Sequence, residues 1–263
     1  MTIPYYHVDS FTGELFAGNP AGVCIIPEFP ADSLMQKIAA ENRHSETSFV
    51  VARPDGDFNL RWFTPLVEDD LCGHATLAAA YALALHGHAN WPVRFHTMSG
   101  LLIVDRDGNR FVMDFPARPP MPCEPPVELL PALGLENVLV LRSSRDYLIV
   151  VENEAIVRDL RPDIDALAKI PMGLGGFIVT APSTAPIDFV CRFFVPSIGI
   201  PEDPATGSIH CTLAPFWAER LGKESFEARQ LSPRGARIGS AIAGDRVKIS
   251  GEARLYLSGT IHL

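Results

Sequence analysis

A chain of 263 residues, 47% of them hydrophobic, is long enough to build one or two separate cores. The formal net charge of −9 argues against a nucleic-acid or anionic-membrane surface, and no basic cluster relieves that balance. The longest apolar stretch, Ala75 to Leu85, is about half of what a bilayer span needs. The N-terminus carries neither the basic nor the apolar segment of a signal peptide, so the expectation is a soluble, cytoplasmic protein.

Taken in chain order, Tyr5 to Phe11 alternates as a strand, Gly18 to Gly22 reads as a loop, and Val23 to Ile26 as an apolar strand. Asp32 has the chemistry of a helix N-cap, followed by the apolar stripe Leu34, Met35, Ile38 and Ala39. That helix is expected to end near Asn42, with Thr47 to Ala52 as a β-branched strand; Glu46 sits at the junction. Gly73 to Leu85 is apolar on almost every face, the pattern of a helix buried all round. His86 and His88 follow it and read as a helix end in contact with solvent rather than as metal ligands. Leu101 to Asp105 and Arg110 to Phe115 form a hairpin around Asp107-Gly108-Asn109.

Six prolines among the eleven residues Pro116 to Pro126 mark a linker. It separates an N-terminal lobe, 1–117, from a C-terminal lobe, 118–252. Beyond it, Val138 to Arg142, Tyr147 to Glu152, Phe177 to Thr180 and Phe189 to Val195 read as strands, and Pro162 to Lys169 as a short helix. Arg246 to Ser250 and Ala253 to Leu263 close the chain as two further strands around Gly251-Glu252. Many strands with few helices in both halves predict α+β lobes built mainly from antiparallel sheet. Five scattered cysteines, none paired at zinc or redox spacing, are expected to be free thiols.

The two halves echo each other. Arg61-Trp62-Phe63-Thr64-Pro65 returns 131 residues later as Arg192-Phe193-Phe194-Val195-Pro196. Each copy runs into an acidic turn, a glycine and an apolar helical segment: Glu68-Asp69-Asp70-Leu71-Cys72-Gly73-His74 in the first, Glu202-Asp203-Pro204-Ala205-Thr206-Gly207-Ser208 in the second. The echo predicts two similar lobes, each aiming the start of a buried helix at a shared cleft. Pro215 inside the second apolar run is expected to kink or shorten its helix.

A helix start offers uncommitted N–H groups and partial positive charge, which suits a small organic acid. The chain has neither a P-loop nor a dinucleotide fingerprint. Gly73 and Gly207 can admit a ligand to the backbone or merely begin tightly packed helices; both readings stay open. His74 is equally a ligand contact or a capped core histidine, and Cys72 can be an activated thiol at the helix start. Glu46 has few charged neighbours in sequence, and partial burial would raise its pKa towards the range of a general acid/base. Asp203 has the bland alternative of an ordinary helix-terminal carboxylate. That reading is stronger for Glu68, Asp69 and Asp70, and the last two are placed outside the candidate site.

Six ordered motifs along the whole chain resemble the PhzF family, within the diaminopimelate-epimerase-like fold. They are Gly18-Asn19-Pro20-Ala21-Gly22-Val23, Ser45-Glu46-Thr47-Ser48-Phe49-Val50, Arg61 to Pro65, Leu71 to Ala78, Glu202 to Ser208, and Gln230-Leu231-Ser232 with Arg234-Gly235. The resemblance implies two pseudo-symmetric lobes, each an antiparallel β-barrel around a central helix, with the final strand, 253–263, able to return to the first lobe. It implies an isomerase that moves a proton on a dihydro-hydroxyanthranilate-like acid held between the lobes, with no metal or organic cofactor. Glu46 would be the acid/base and His74 and Asp203 would bind and polarise the substrate. Ser208 and the Gly73 and Gly207 amides would complete the pocket. The family also implies a homodimer. Asn42-Arg43-His44 is more polar than the family pattern and would shape the pocket rim. The alternatives are an amino-acid racemase using Cys72, for which the second motif supplies no matching cysteine, and a non-catalytic module that binds a small acid.

Overall fold

Packing divides the chain into two units, Met1–Asp114 with Ser250–Leu263, and Phe115–Ile249. The computed structural model describes residues 2–88 and 90–263. The first unit runs β1 (Thr2–Ser10), β2 (Asn19–Ile26), α1 (Asp32–Asn42), β3 (Glu46–Ala52), β4 (Phe58–Phe63), β5 (Glu68–Asp69), α2 (Gly73–Leu85), β6 (Val93–Thr97), β7 (Gly100–Asp107) and β8 (Arg110–Pro116). The C-terminal strand Ala253–His262 pairs antiparallel with β1. From β1 the pairing continues antiparallel to β2, parallel to β3, antiparallel to β4, parallel to β6 and antiparallel to β7. The strands curl around α2, which packs on β1, β2, β3 and the C-terminal strand. Residues His74 to Ala80, Ala82 and Leu83 of that helix are buried, as its uniformly apolar sequence requires.

Strand alternation sorts the side chains. The register pairs Ser48 with Trp62 and Trp62 with Asp69, so these three and Glu46, two residues before Ser48, share one face. Ser48 identifies it as the face towards α2, because its Oγ donates to the Ala75 carbonyl at 3.0 Å. Thr47, Phe63 and Glu68 take the opposite face, where Phe49 and Phe63 pack with Met35, Ile38 and Ala39 of α1. On that side Arg61 donates to both oxygens of Glu68, at 2.6 and 2.7 Å, with its guanidinium 5.2 Å from the Phe63 ring centre.

The second unit runs β9 (Met121–Pro122), α3 (Leu129–Leu133), β10 (Leu139–Arg142), β11 (Tyr147–Val150), α4 (Glu154–Asp159), α5 (Ile164–Ala168), β12 (Phe177–Pro182), β13 (Phe189–Phe194), α6 (His210–Leu221), β14 (Ser225–Gln230), β15 (Ala236–Ala243) and β16 (Arg246–Gly251). Its pairing repeats that of the first unit: β10 to β11 antiparallel, β11 to β12 parallel, β12 to β13 antiparallel, β13 to β14 parallel, β14 to β15 antiparallel. The sheets are therefore mixed, with two parallel joints per unit, each crossed by a helical segment. The core of this unit gathers Leu129, Leu133, Val157, Leu167, Phe177, Val179 and Phe194.

Several local expectations are corrected. Asp32 does not cap α1; Ala31 holds the cap position without a side-chain bond, and Asp32 Oδ1 instead accepts from Arg61 at 2.8 Å. Residues 19–22, expected as loop, already belong to β2 because they pair with β1. The proline-rich stretch is tied down: Met121 and Pro122 pair with β10, and the Ala117 and Arg118 N–H groups donate to Asp245 and Cys211 carbonyls, both at 2.8 Å. Pro215 does not end α6. It lacks the N–H that would close on the Cys211 carbonyl, and Arg118 supplies that carbonyl with a donor. The helix does begin late, at His210 rather than at Gly207.

Candidate active site

Glu46 opens β3 directly after the turn that ends α1. Arg43 caps that helix in the left-handed region at φ 56°, and its N–H bonds to the Ala39 carbonyl at 3.2 Å. The polar rim residues have structural work there: Asn42 Nδ2 donates to Thr47 Oγ1 at 3.2 Å, and His44 Nε2 lies 3.0 Å from the Tyr5 hydroxyl. Strand alternation then points Glu46 at the start of α2.

His74 lies in the first turn of that helix, its carbonyl fixed by Ser10 Oγ at 2.8 Å. Its Nε2 is 3.0 Å from Glu46 Oε2, and its Nδ1 is 3.4 Å from Cys72 Sγ. Glu46 and His74 are only 7% and 6% exposed. Thiol, imidazole and carboxylate thus form a compact group joining the N-cap of α2 to the first residue of β3. His74 is a participant in a polar constellation. His210 at the start of α6 shows the other outcome: it is fully buried, and burial pushes its imidazole down to about 3, making it a neutral core residue.

Gly73 is not a packing glycine. A Cβ there would meet no atom within 4 Å, so the tight-helix reading fails and the space above the helix start is open. Cys72 makes no side-chain cap bond.

The second unit places Asp203, Gly207 and Ser208 on the segment before α6. The Asp203 N–H donates to the Phe193 carbonyl at 3.0 Å, and its carboxylate accepts from Thr206 Oγ1. Gln230, 1% exposed, pins this segment by donating to the Asp203 carbonyl at 2.6 Å and accepting from the Thr206 N–H at 2.8 Å. Sequence reading missed Gln230 as a positioning residue; its position inside a quoted motif was the available signal. The loop that carries Asp203 is thus held by specific hydrogen bonds.

Asp69 was placed outside the candidate site. It lies on the face shared with Glu46, while neighbouring Glu68 is turned away into the Arg61 clamp. Its carboxyl is pushed up to about 6, first by burial and then by the charge of Glu46.

Among the described residues, two groups of side chains bring potential metal ligands within 4.8 Å of one another. In Glu46, Cys72 and His74, the two imidazole nitrogens face different partners, the Glu46 carboxylate and the Cys72 thiol. In Asp55, Asp57 and His96, Arg53 binds Asp55 at 3.0 Å, Arg94 lies 3.9 Å from Asp57 and His96 lies 2.7 Å from it, so the carboxylates already face cationic or hydrogen-bonding side chains. None of the five cysteines forms a disulfide among the described residues. Among the described residues no helix is long and apolar enough to cross a membrane.

The family model described as "Phenazine biosynthesis-like protein" matches residues 8–259. An uncharacterized isomerase of Pseudomonas aeruginosa is 49% identical over the whole of both chains. A PhzF-family phenazine biosynthesis protein of Enterococcus faecalis has a solved structure that superposes with a TM-score of 0.95, at 40% identity and complete coverage of both chains. A probable proline racemase from Agrobacterium radiobacter gives a TM-score of 0.63 at 14% identity, covering 99% of this chain and 92% of that one. At that identity the likeness concerns the fold alone, and it places the architecture among the epimerase-like folds.

Proposed function

This chain belongs to the PhzC-PhzF family of phenazine biosynthesis-like proteins, and from that premise we propose that it is an isomerase moving a proton on a small carboxylic acid. The observation that carries the reading is a buried carboxylate, Glu46, with its Oε2 3.0 Å from His74 Nε2 at the first turn of α2. Glu46 is the proton carrier. One carboxylate can remove a proton from one carbon of a conjugated acid and return it at another, so no cofactor is required. Acid/base help of this kind is worth about 10²–10⁴ in rate, roughly 3–5 kcal/mol.

His74 holds and polarises the substrate, and the open space at Gly73 lets a substrate carboxylate approach the N–H groups of the helix start. Asp203, Gly207 and Ser208 are the further substrate contacts in this proposal, and the substrate class is a dihydro-hydroxyanthranilate-like acid. The word isomerase in the name of the Pseudomonas aeruginosa relative supports the reaction class. A two-thiol racemase is disfavoured. Thr206 stands in the second echo where Cys72 stands in the first, and burial raises the thiols of Cys191 and Cys211, the latter to about 11.

The test is proton exchange from deuterated water into a panel of cyclohexadiene and aromatic carboxylic acids, with wild type, Glu46→Gln and Cys72→Ser side by side. Glu46→Gln is expected to lose about 10²–10⁴ in rate while keeping its fold. Full turnover by that variant would overturn the mechanism. Exchange at an amino acid's α-carbon that disappears in Cys72→Ser would establish the racemase instead, and no exchange at all would leave a binding module.

A further inference from the structure

We propose that Cys72 is a nucleophile activated by His74, which makes the start of α2 a covalent modification site for small soft electrophiles: alkyl halides and conjugated carbonyl compounds. The inference goes beyond the isomerase reading and needs no turnover to hold.

Cys72 occupies the N-cap of α2 in extended backbone, yet its sulfur makes no cap bond. The residue is fixed through its carbonyl instead, which accepts from the Thr76 N–H at 3.2 Å and from Thr76 Oγ1 at 2.5 Å. With the backbone pinned, the side chain is left to His74, whose Nδ1 lies 3.4 Å from Sγ. The other imidazole nitrogen, Nε2, lies 3.0 Å from Glu46 Oε2. A nucleophile, a base within its reach and a third group behind the base together form the arrangement that activates a thiol. The uncommitted N–H groups of the helix start add partial positive charge, which favours the thiolate.

Glu46 supplies the second observation. Its Oε2 is buried and completes no hydrogen bond with any described group. A buried acceptor left over in this way is costly and calls for a use. A carboxylate 3.0 Å from Nε2 favours the doubly protonated imidazole, the form His74 takes when the thiol gives up its proton. Room for a guest is also present: a Cβ at Gly73 would meet no atom within 4 Å, so a small reagent reaches the buried Cys72 over that residue.

The other four cysteines are set against reaction. Burial is the leading influence on each and pushes the thiol up, Cys24 to about 12 and Cys211 to about 11. The chain therefore carries its own controls. With an alkyl halide, the Cys72 sulfur bonds to the carbon, the carbon–halogen bond breaks, the halide leaves with the electron pair and the thiol proton ends on His74. With a conjugated carbonyl compound, the sulfur adds to the β-carbon, the electron pair moves towards the carbonyl and the proton passes from His74 to the α-carbon.

The test is timed alkylation by iodoacetamide at pH 7, mapped by mass spectrometry in wild type, His74→Asn and Glu46→Gln, with free cysteine as the reference. An ordinary thiol is only a few per cent ionised at that pH, so full ionisation, less the weaker nucleophilicity of a more acidic thiol, predicts about a tenfold faster reaction. Cys72 is expected to react at about ten times the rate of free cysteine and before the other four. His74→Asn is expected to remove that advantage, and Glu46→Gln to reduce it about threefold. A wild-type Cys72 that reacts no faster than free cysteine overturns the proposal, and so does an equal rate in His74→Asn. Circular dichroism shows whether each variant is folded; should His74→Asn fail to fold, the wild-type comparison and Glu46→Gln decide. Labelling requires no substrate, so a missing isomerase activity would count against the proposed function and not against the reactive thiol.

Discussion

The two units repeat one pairing order, and the residues that occupy equivalent places differ in a systematic way. Thr47 pairs with Phe63 in the first unit, and Phe177 with Phe194 in the second. The residue before each is Glu46 in one and Gly176 in the other. Gly176 has no room for anything larger, since a Cβ there would lie 2.4 Å from the Phe194 carbonyl oxygen and 2.7 Å from the Phe193 ring. Its N–H donates to Asp146 at 3.0 Å. Equivalent geometry therefore offers a place for a carboxylate side chain in the first unit, and packing closes it in the second.

What both units keep is the Arg–Glu clamp. Arg192 grips Glu202 through two bonds of 2.7 and 2.8 Å, as Arg61 grips Glu68. The echo in the sequence is first a structural one: a fork that fixes the acidic turn on the side of the sheet away from the inner helix. The next residue in each copy, Asp69 or Asp203, then faces the inner helix by alternation alone.

The clamps give the largest stability effect with which to break this comparison. The Arg192 side chain is 9% exposed and donates also to the Val157 and Leu160 carbonyls, at 3.3 and 2.8 Å. Arg192→Leu is expected to cost about 3–5 kcal/mol, because it leaves a carboxylate and two carbonyls unsatisfied in a buried place. The Arg61–Glu68 pair is about a fifth exposed on each side, so Arg61→Leu should cost only about 1–2 kcal/mol. Urea unfolding of both variants decides it, and equal losses would mean that the clamps are not set apart by burial.

Glycine replacement sharpens the contrast at a slightly smaller scale. Gly176→Ala should destabilise by about 3 kcal/mol, since the nearest obstacle is backbone. Gly73→Ala should change stability by less than about 0.5 kcal/mol and, on the proposed function, reduce substrate affinity. Thermal melts read the first difference and a KM-against-kcat comparison reads the second. A strongly destabilised Gly73→Ala would restore the tight-packing reading.

The smallest expected effect depends on pH. Asp69 is raised from 3.8 to about 6 in the fold, so the native state holds its proton more tightly than the unfolded chain. Its contribution to stability is full below about pH 4 and declines as the pH climbs through 6. Asp69→Asn removes that decline. Discounted for partial exposure, the variant should be more stable than wild type by about 1–2 kcal/mol at pH 8 and equal to it near pH 4. Melts at the two pH values check the sign, and a variant less stable at pH 8 would show that Asp69 is held by contacts outweighing its desolvation.

Local signals in the sequence reached far in some places. Gly73–Leu85 was legible as a buried helix because little beyond His74, Thr76 and Tyr81 is polar in it, and the hairpin of β7 and β8 because its turn residues stand at Asp107-Gly108-Asn109. α3 and α4, of five and six residues, carry too little periodicity to be seen. Asp32 looked like a cap because local chemistry is blind to Arg61, twenty-nine residues away in sequence. Among the candidate site residues, Glu46 and His74 were legible through a motif, and the 3.0 Å contact between them was not.

The sequence by itself determined the repeat, the two inner helices, the acidic turns and the residue types available for acid/base chemistry, because each is written in contiguous residues. Only the tertiary structure decided which carboxylates face the inner helix. Glu68 and Asp69 are adjacent and alike in charge, yet strand register sends one to an arginine and the other to the face it shares with Glu46. A strand has two faces, and which of them meets the inner helix is settled by its partners.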